Sequence, residues 1–436
     1  MASADLTVLQ YIAEVTPGVT PDNGVKASVL LTGTAQPANA DTITVAGLTY
    51  TFQTTLTNVA RNVLIGATLA ITLANLQAAA NKLPGAGTKY AALTTKNPSL
   101  SITSVTATTA LFTLLNGGTA GNALGSTKTG TSLTFGTPTF TGGTNSTTTL
   151  WRPTRYTGES LKFAIQNVQS AEIRPDRTES ELVQTSGSAA GDINIELSYG
   201  SFDDLVEAVM CGTWTANVLQ NGTNIRFFTF RKTFPDITPA QYHYFTGTAV
   251  ESLKLDIQLG KIVSGSFGLM SFGIDPIIGV RTAAIGGEST GSALSTDPLN
   301  GVTNFQDFMI DGIPYSGCIS SMKLDIKNSI RANQCLGSLI ARDMKLGTLM
   351  VTGTMDLYFN EGSNFERFIK GTEFPLTFAL QDPDGNRVVV DLPRCKYESG
   401  DVVAGSRNSD VMMAGAFRAL FSDTAGYVMR LTRTPV

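Results

Sequence analysis

One amphipathic strand is written almost identically three times in this chain. SLKFAIQN stands at 160–167, SLKLDIQ at 252–258 and SMKLDIKN at 321–328, with 161 residues from the first copy to the third. Side chains along a strand alternate between faces, so Leu161, Phe163 and Ile165 share one face and Ser160, Lys162, Ala164 and Gln166 the other. The third copy alternates in the same phase, Met322, Leu324 and Ile326 against Ser321, Lys323, Asp325 and Lys327. A chain that repeats such a strand is committed to sheets with one face in a core and the other in water.

The surroundings of the first and third copies also repeat. The first is followed by a charged stretch, VQSAEIRPDRTESELVQTSGSAA, then by a strand, GDINIELSYG, with Ile193, Ile195 and Leu197 alternating with Asp192, Asn194 and Glu196. Gly200-Ser201 then opens SFDDLVEAVM, a helix with Ser201 as N-cap, Asp204 as a near capping box, and Phe202, Leu205, Val206 and Val209 buried. The third copy is followed by SIRANQCLGSLIARDMK, then by the strand TGTMDLYF, which alternates Met355, Leu357 and Phe359 with Thr354, Asp356 and Tyr358. Gly362-Ser363 opens SNFERFIKG, with Ser363 as cap, Glu366 completing S-x-x-E, Phe365, Phe368 and Ile369 buried, and Gly371 as terminator. This order at nearly constant offset predicts an internal duplication. The middle copy lies late in the first unit, in a strand pair that turns at Leu259-Gly260. Its counterpart is RCKYESGDVVAG with DVMMAGAFRALF.

Residues 25–148 interrupt the first unit. DTITVAGLTYTF reads as a hairpin around Ala46-Gly47. ATLAITLANLQAAANK reads as a helix with Leu69, Leu73, Leu76 and Ala80 on one face. SLSITSVTATTALFTLL supplies two more strands, and FGTPTFTGGTNSTTT leads back to the body. Residues 25–145 carry six basic side chains against Asp41 alone, net +5 in a chain of net −4, which leaves −9 to the rest. An acidic body with a basic insert predicts two parts with different neighbours. The expected organisation is 1–24 with 149–290 as a first unit, 25–148 as an insert, 291–299 as a linker and 300–436 as a second unit. The expected class is mainly β with minor α+β character: duplicated sandwich or barrel units, each with a flanking helix, plus a β-rich insert.

Catalytic and cofactor signals are missing. The only histidine, His243 in QYHYFTG, has no GxSxG to accompany it, and an aromatic strand explains it. LPGAGTKY lacks the phosphate-loop spacing, and NGGTAGNALG lacks the dinucleotide fingerprint. DPDGN at 382–386 lacks the distal ligands of a calcium loop and reads as a hairpin turn. Cys211, Cys318, Cys335 and Cys395 show no CxxC spacing and read as reduced, buried thiols. No metal site, cofactor or catalytic residue is expected. The N-terminal stretch has no signal-peptide pattern, and no apolar run reaches the 18 or so residues of a membrane helix. No basic stripe with interleaved aromatics points to tight nucleic-acid binding. An outer-membrane barrel is disfavoured by the absence of aromatic girdles.

The block at 155–214, with TGESL, EIRPDR, SGSAAGDINIELSYGS and the helix followed by GTW, resembles the tail tube proteins of long-tailed bacteriophages. The opening YIAEVTPGVTP is similar to that family's start. The likeness is strongest over 149–215 and weaker after 300, and the insert departs from the minimal family pattern. It resembles the β-rich decoration modules that phage tail proteins carry outside their tubes.

The resemblance implies stacked rings around a central channel. Each tube unit gives four strands to a shared inner barrel, its helix packs on the flank, and its long loop reaches the adjacent ring. If a family ring needs six units, a chain with two units needs three copies. The expected channel lining is Lys162, Asp192, Asn194, Glu196, Lys254, Asp256, Lys323, Asp325 and Asp356. The expected inter-ring contact is the loop 167–190, through Glu172, Arg174, Asp176, Arg177, Glu179 and Glu181. The implied partners are further copies of the chain and the tape-measure, tail terminator and distal tail proteins. Double-stranded DNA would pass without specific binding, no membrane would be engaged, and the chain would be made in a bacterial cytoplasm and end in the virion tail. Two other readings stay open: a secretion-tube protein on the same fold, and a host-surface-binding module acting through the insert.

Overall fold

The computed structural model describes residues 3–21, 24–145, 150–274, 280–281, 289–404 and 407–436. The chain is mainly β and forms two compact units. One is Met1–Thr20, Arg152–Thr282 and Ser292–Val436, and the other is Pro21–Trp151 with Ala283–Gly291.

In the larger unit the elements are β1 (Val8–Ala13), β2 (Lys162–Gln169), β3 (Leu182–Glu196), α1 (Asp203–Met210), β4 (Phe228–Phe234), β5 (Gln241–Gln258) and β6 (Ser264–Ser271). Then come β7 (Phe305–Ile310), β8 (Ile319–Lys327), β9 (Met350–Tyr358), α2 (Ser363–Lys370), β10 (Phe374–Gln381), β11 (Arg387–Val403) and β12 (Met412–Ala419). Eight of these strands form one antiparallel ladder in the order β2-β3-β6-β5-β8-β9-β12-β11. The first four and the last four are laid down in the same pattern. In each half an initial strand, β1 or β7, pairs with the strand after the helix, β4 or β10. That strand forms a hairpin with a long strand, β5 or β11.

Both long strands carry a bulge at a Glu-Ser step. The pairing of β5 with β6 shifts between Val250 and Ser252, and that of β11 with β12 shifts between Tyr397 and Ser399. A bulge adds twist and lets a long strand leave one sheet region for another. The middle repeated segment belongs to β5 and pairs directly with the third, in β8, with Leu255 opposite Leu324. The two halves share one core, which holds Leu253, Leu255 and Phe267 with Met322, Leu324, Met355 and Phe417. Burying each of these side chains contributes about 1.5–3 kcal/mol.

Several local expectations are corrected. Of the first repeated segment only Leu161 is in the core; Phe163 is half-buried and Ile165 exposed. The segment runs outward as a hairpin arm, so it lacks the second sheet neighbour that β8 has. The stretch 167–190 is mostly strand, with only 170–181 as a turn. Its apolar–polar alternation is masked by serines and glutamines. In 328–349, Arg331–Asn333 and Asp343–Lys345 pair as a small hairpin. Neither Ser201 nor Ser363 caps its helix: Ser201 binds Ser198 and Thr296, and Ser363 binds Glu361. Tertiary and acidic neighbours win those hydroxyls. Ile369 is 66% exposed, and Asn364 is the buried residue of α2. Cys318 and Cys335 are exposed, while Cys211 and Cys395 are buried; all four are free. The segment 291–299 is packed rather than loose. Leu299 is buried, Thr296 donates to the Tyr199 carbonyl, and Arg155 donates to the Thr296 carbonyl.

The smaller unit has its own core around Phe52, Leu73, Leu76, Phe112 and Phe140. Thr42–Val45 and Leu48–Gln53 form the hairpin, with Ala46 and Gly47 both at positive φ as a type I′ turn requires. The helix Leu69–Asn81 buries Leu73, Leu76 and Ala80 and is capped by the Thr68 hydroxyl, which accepts from the Ile71 N–H. Leu100–Val105 and Thr109–Gly117 pair as the later strands. Residues 146–149, in the return to the body, lie outside the described residues.

Candidate functional site

The solvent face of the eight-stranded ladder carries every residue expected to line a channel. Asp192, Asn194 and Glu196 alternate with buried Ile193 and Ile195 on β3. Lys254 and Asp256 lie between Leu253, Leu255 and Ile257 on β5, and Lys323 and Asp325 between Met322, Leu324 and Ile326 on β8. Asp356 lies between Met355 and Leu357 on β9, and Lys162 follows buried Leu161 on β2. Strict alternation on paired strands therefore brings the nine to one side.

Cross-strand register sets these residues in rows. Asn194 is opposite Ser266, Ser266 opposite Lys254, and Lys254 opposite Asp325. In the next row Asp256 is opposite Lys323 and Lys323 opposite Thr354. The face is concave and forms an open trough of about 770 Å³ lined by Asn194, Lys254, Lys323, Asp325, Thr354 and Glu398 among others. Lys323 Nζ is 4.0 Å from Asp256 Oδ2, the Gln258 amide donates to that oxygen at 2.8 Å, and the Ser321 hydroxyl donates to Asp356 at 2.6 Å. Opposite charges directly across strands are mildly stabilising and leave no block of one sign.

Three further charged residues of this face, Glu398, Asp401 and Arg418, did not stand out in the sequence. Glu398 and Arg418 are paired at 2.6 Å. The bulge at Glu398 breaks the alternation of β11 and hides its phase. The one available signal was the Glu-Ser step shared with Glu251-Ser252.

The inter-ring candidates sit at the tip of the β2–β3 arm. The arm closes where the Ser170 N–H donates to the Glu181 carbonyl at 3.0 Å. Glu172, Arg174, Asp176, Arg177, Glu179 and Glu181 are all exposed. Arg174 binds Asp176 at 3.0 and 3.2 Å, and this guanidinium lowers the Asp176 carboxyl to about 2. The other four have no ion-pair partner among the described residues. The stalk also exposes Ile165, Val168, Leu182 and Val183, and the tip exposes Ile173.

Catalytic chemistry gains nothing from the geometry. His243 lies on β5 with its ring 5.1 Å from Phe234, and burial lowers its pKa. Among the described residues, no three His, Cys, Asp or Glu side chains are grouped to hold a metal ion. Asp382 turns its carboxylate onto the Asn386 backbone and side-chain amides, as a hairpin turn does. No helix among the described residues is long and apolar enough to cross a membrane.

A family model described as phage tail tube protein matches residues 128–419, well over half of the chain, and runs from before β2 to the last residue of β12. No curated protein matches the chain.

Proposed function

The chain belongs to the phage tail tube protein family, a structural component of the virion tail, and on that premise we propose that it polymerises into stacked rings whose channel carries DNA into the host. Each ring holds three chains, because each chain carries two tube units arisen by duplication. The single observation that supports this most is the ladder with matching open ends. Inside the chain the long strand of the first half, β5, pairs with the first strand of the second, β8. Among the described residues, β11 beyond residue 395 pairs only with β12, and β2 pairs only with β3. The free edge of β11 is thus equivalent to the β5 edge that β8 covers, and the free edge of β2 to the β8 edge that β5 covers. Such head-to-tail contacts close into a ring when the rotation between copies sums to a full turn, and a closed barrel leaves no sheet edge to aggregate.

The concave charged face would line the channel. Interleaved acids and bases give phosphates no continuous basic track, so duplex DNA slides past unheld. The arm tip, 170–181, would contact the next ring. Tape-measure, terminator and distal tail proteins would meet the lumen and ends of the tube. The test is direct imaging of the purified full-length chain. Hollow tubes or rings are expected by negative-stain electron microscopy, and a chain that stays monomeric at every concentration would count against the proposal.

A further inference from the structure

The chain contains one complete junction between tube units, and the ring proposed above requires another of the same kind between copies. The internal junction has two layers. On the concave face Lys254 stands opposite Asp325 and Asp256 opposite Lys323. On the flank, the segment 328–349 lies over the first half and buries Ile330, Ala341 and Met344 against Phe227, Ala249 and Phe272, with Met270 alongside. That seal is apolar.

The bulges let the equivalent positions of the second half be counted off. Just before the bulge, Val250 is opposite Leu269 and Tyr397 is opposite Phe417, all in the core. One step further, Ala249 is opposite Met270, but Lys396 is opposite Arg418. One strand over, Phe227 precedes Phe228, which is opposite Thr248; Glu373 precedes Phe374, which is opposite Cys395. Three apolar positions of the first half are therefore Glu373, Lys396 and Arg418 in the second. Glu373 is held by Arg394 at 2.7 and 2.8 Å.

The strand register carries over as well. Lys162 is opposite Ala190, the residue before Gly191, and Asp325 is opposite Thr352, the residue before Gly353. Lys254 lies two residues beyond Ser252 at one bulge, and Asp401 two beyond Ser399 at the other. Lys162 thus occupies the place of Asp325, and Asp401 the place of Lys254, with the signs exchanged. Neither has an ion-pair partner among the described residues.

We infer that neighbouring copies in a ring meet with Lys162 of one copy opposite Asp401 of the next, the internal Lys254–Asp325 pair with its signs exchanged, and that beside it the charged Glu373–Lys396–Arg418 patch stands where the internal junction has its apolar seal. This rests on the ring reading. Its physical sense is that on the second half a free chain exposes a hydrated, charged patch where the first half has an apolar one, which disfavours indiscriminate association before rings close.

The test compares full-length chains by light scattering and electron microscopy across protein concentration, with circular dichroism to verify folding. Asp401→Lys or Lys162→Asp alone should raise the concentration needed for tubes about tenfold, since each puts like charges opposite one another. The two together should restore the wild-type value, and high salt should raise it for the wild type. Single variants that assemble normally, or a double variant as impaired as the singles, would overturn the inference while leaving the ring intact. A wild type that never forms rings would overturn the ring reading itself.

Discussion

Gly353 shows how single residues shape this sheet. It lies in β9 between Leu324 and Phe417, and an added Cβ would come within 2.4 Å of the Phe417 ring and 2.6 Å of the Lys323 carbonyl oxygen. The ring fills the space a side chain would take. Gly191 on β3 is similarly crowded by the backbone of Ser160 and Leu161. Overpacking of this kind costs about 1–3 kcal/mol. Gly353→Val is therefore expected to lower the unfolding free energy by that much, read from the shift of the urea midpoint at unchanged slope, followed by circular dichroism. An unchanged midpoint would mean that Phe417 has room to move.

At the scale of elements, the arm is the part whose purpose the fold alone does not explain. From Ile165 to Gln169 it extends about 13 Å as paired strand before its charged turn. An exposed ion pair is worth only about 0–1 kcal/mol, so several would have to act together, and the proposed stacking of rings would repeat them at every interface. Arg174→Glu with Arg177→Glu is expected to leave the far-ultraviolet spectrum unchanged and to yield rings that do not stack. Raised salt should weaken stacking of the wild type. Tubes of normal length from the double variant would show that the tip is merely solvated.

These elements also show what could be read beforehand. The alternation in 321–327 and 252–258 is undisturbed, and it places Lys323, Asp325, Lys254 and Asp256 on one face with no further information. The arm's course was hidden because Ile165, Val168, Leu182 and Val183 look like core residues, yet they have no core to enter within one chain. The helix starts misled for a different reason. Ser201 and Ser363 satisfy the cap pattern, but Thr296 and Glu361, distant or out of phase in sequence, hold their hydroxyls. The register between repeats was two residues away from the alignment of SLKF with SMKL, since only hydrogen bonding reveals which residues stand opposite.

At the scale of the whole molecule, the smaller unit owns its core, and none of that core's residues belongs to the larger unit's core. Removing residues 25–145 should therefore leave the ladder folded and tube formation intact, as judged by electron microscopy of the truncated chain. A truncated chain that is folded but unable to polymerise would make the insert part of the ring contact. The larger unit raises the more direct question. Eight of its strands form one continuous ladder with two similar halves, and we propose that three such ladders close a circle. Native mass spectrometry of isolated rings, with image averaging of end-on views, counts the chains. Three chains with pseudo-sixfold appearance are predicted; six chains in a ring would contradict the account.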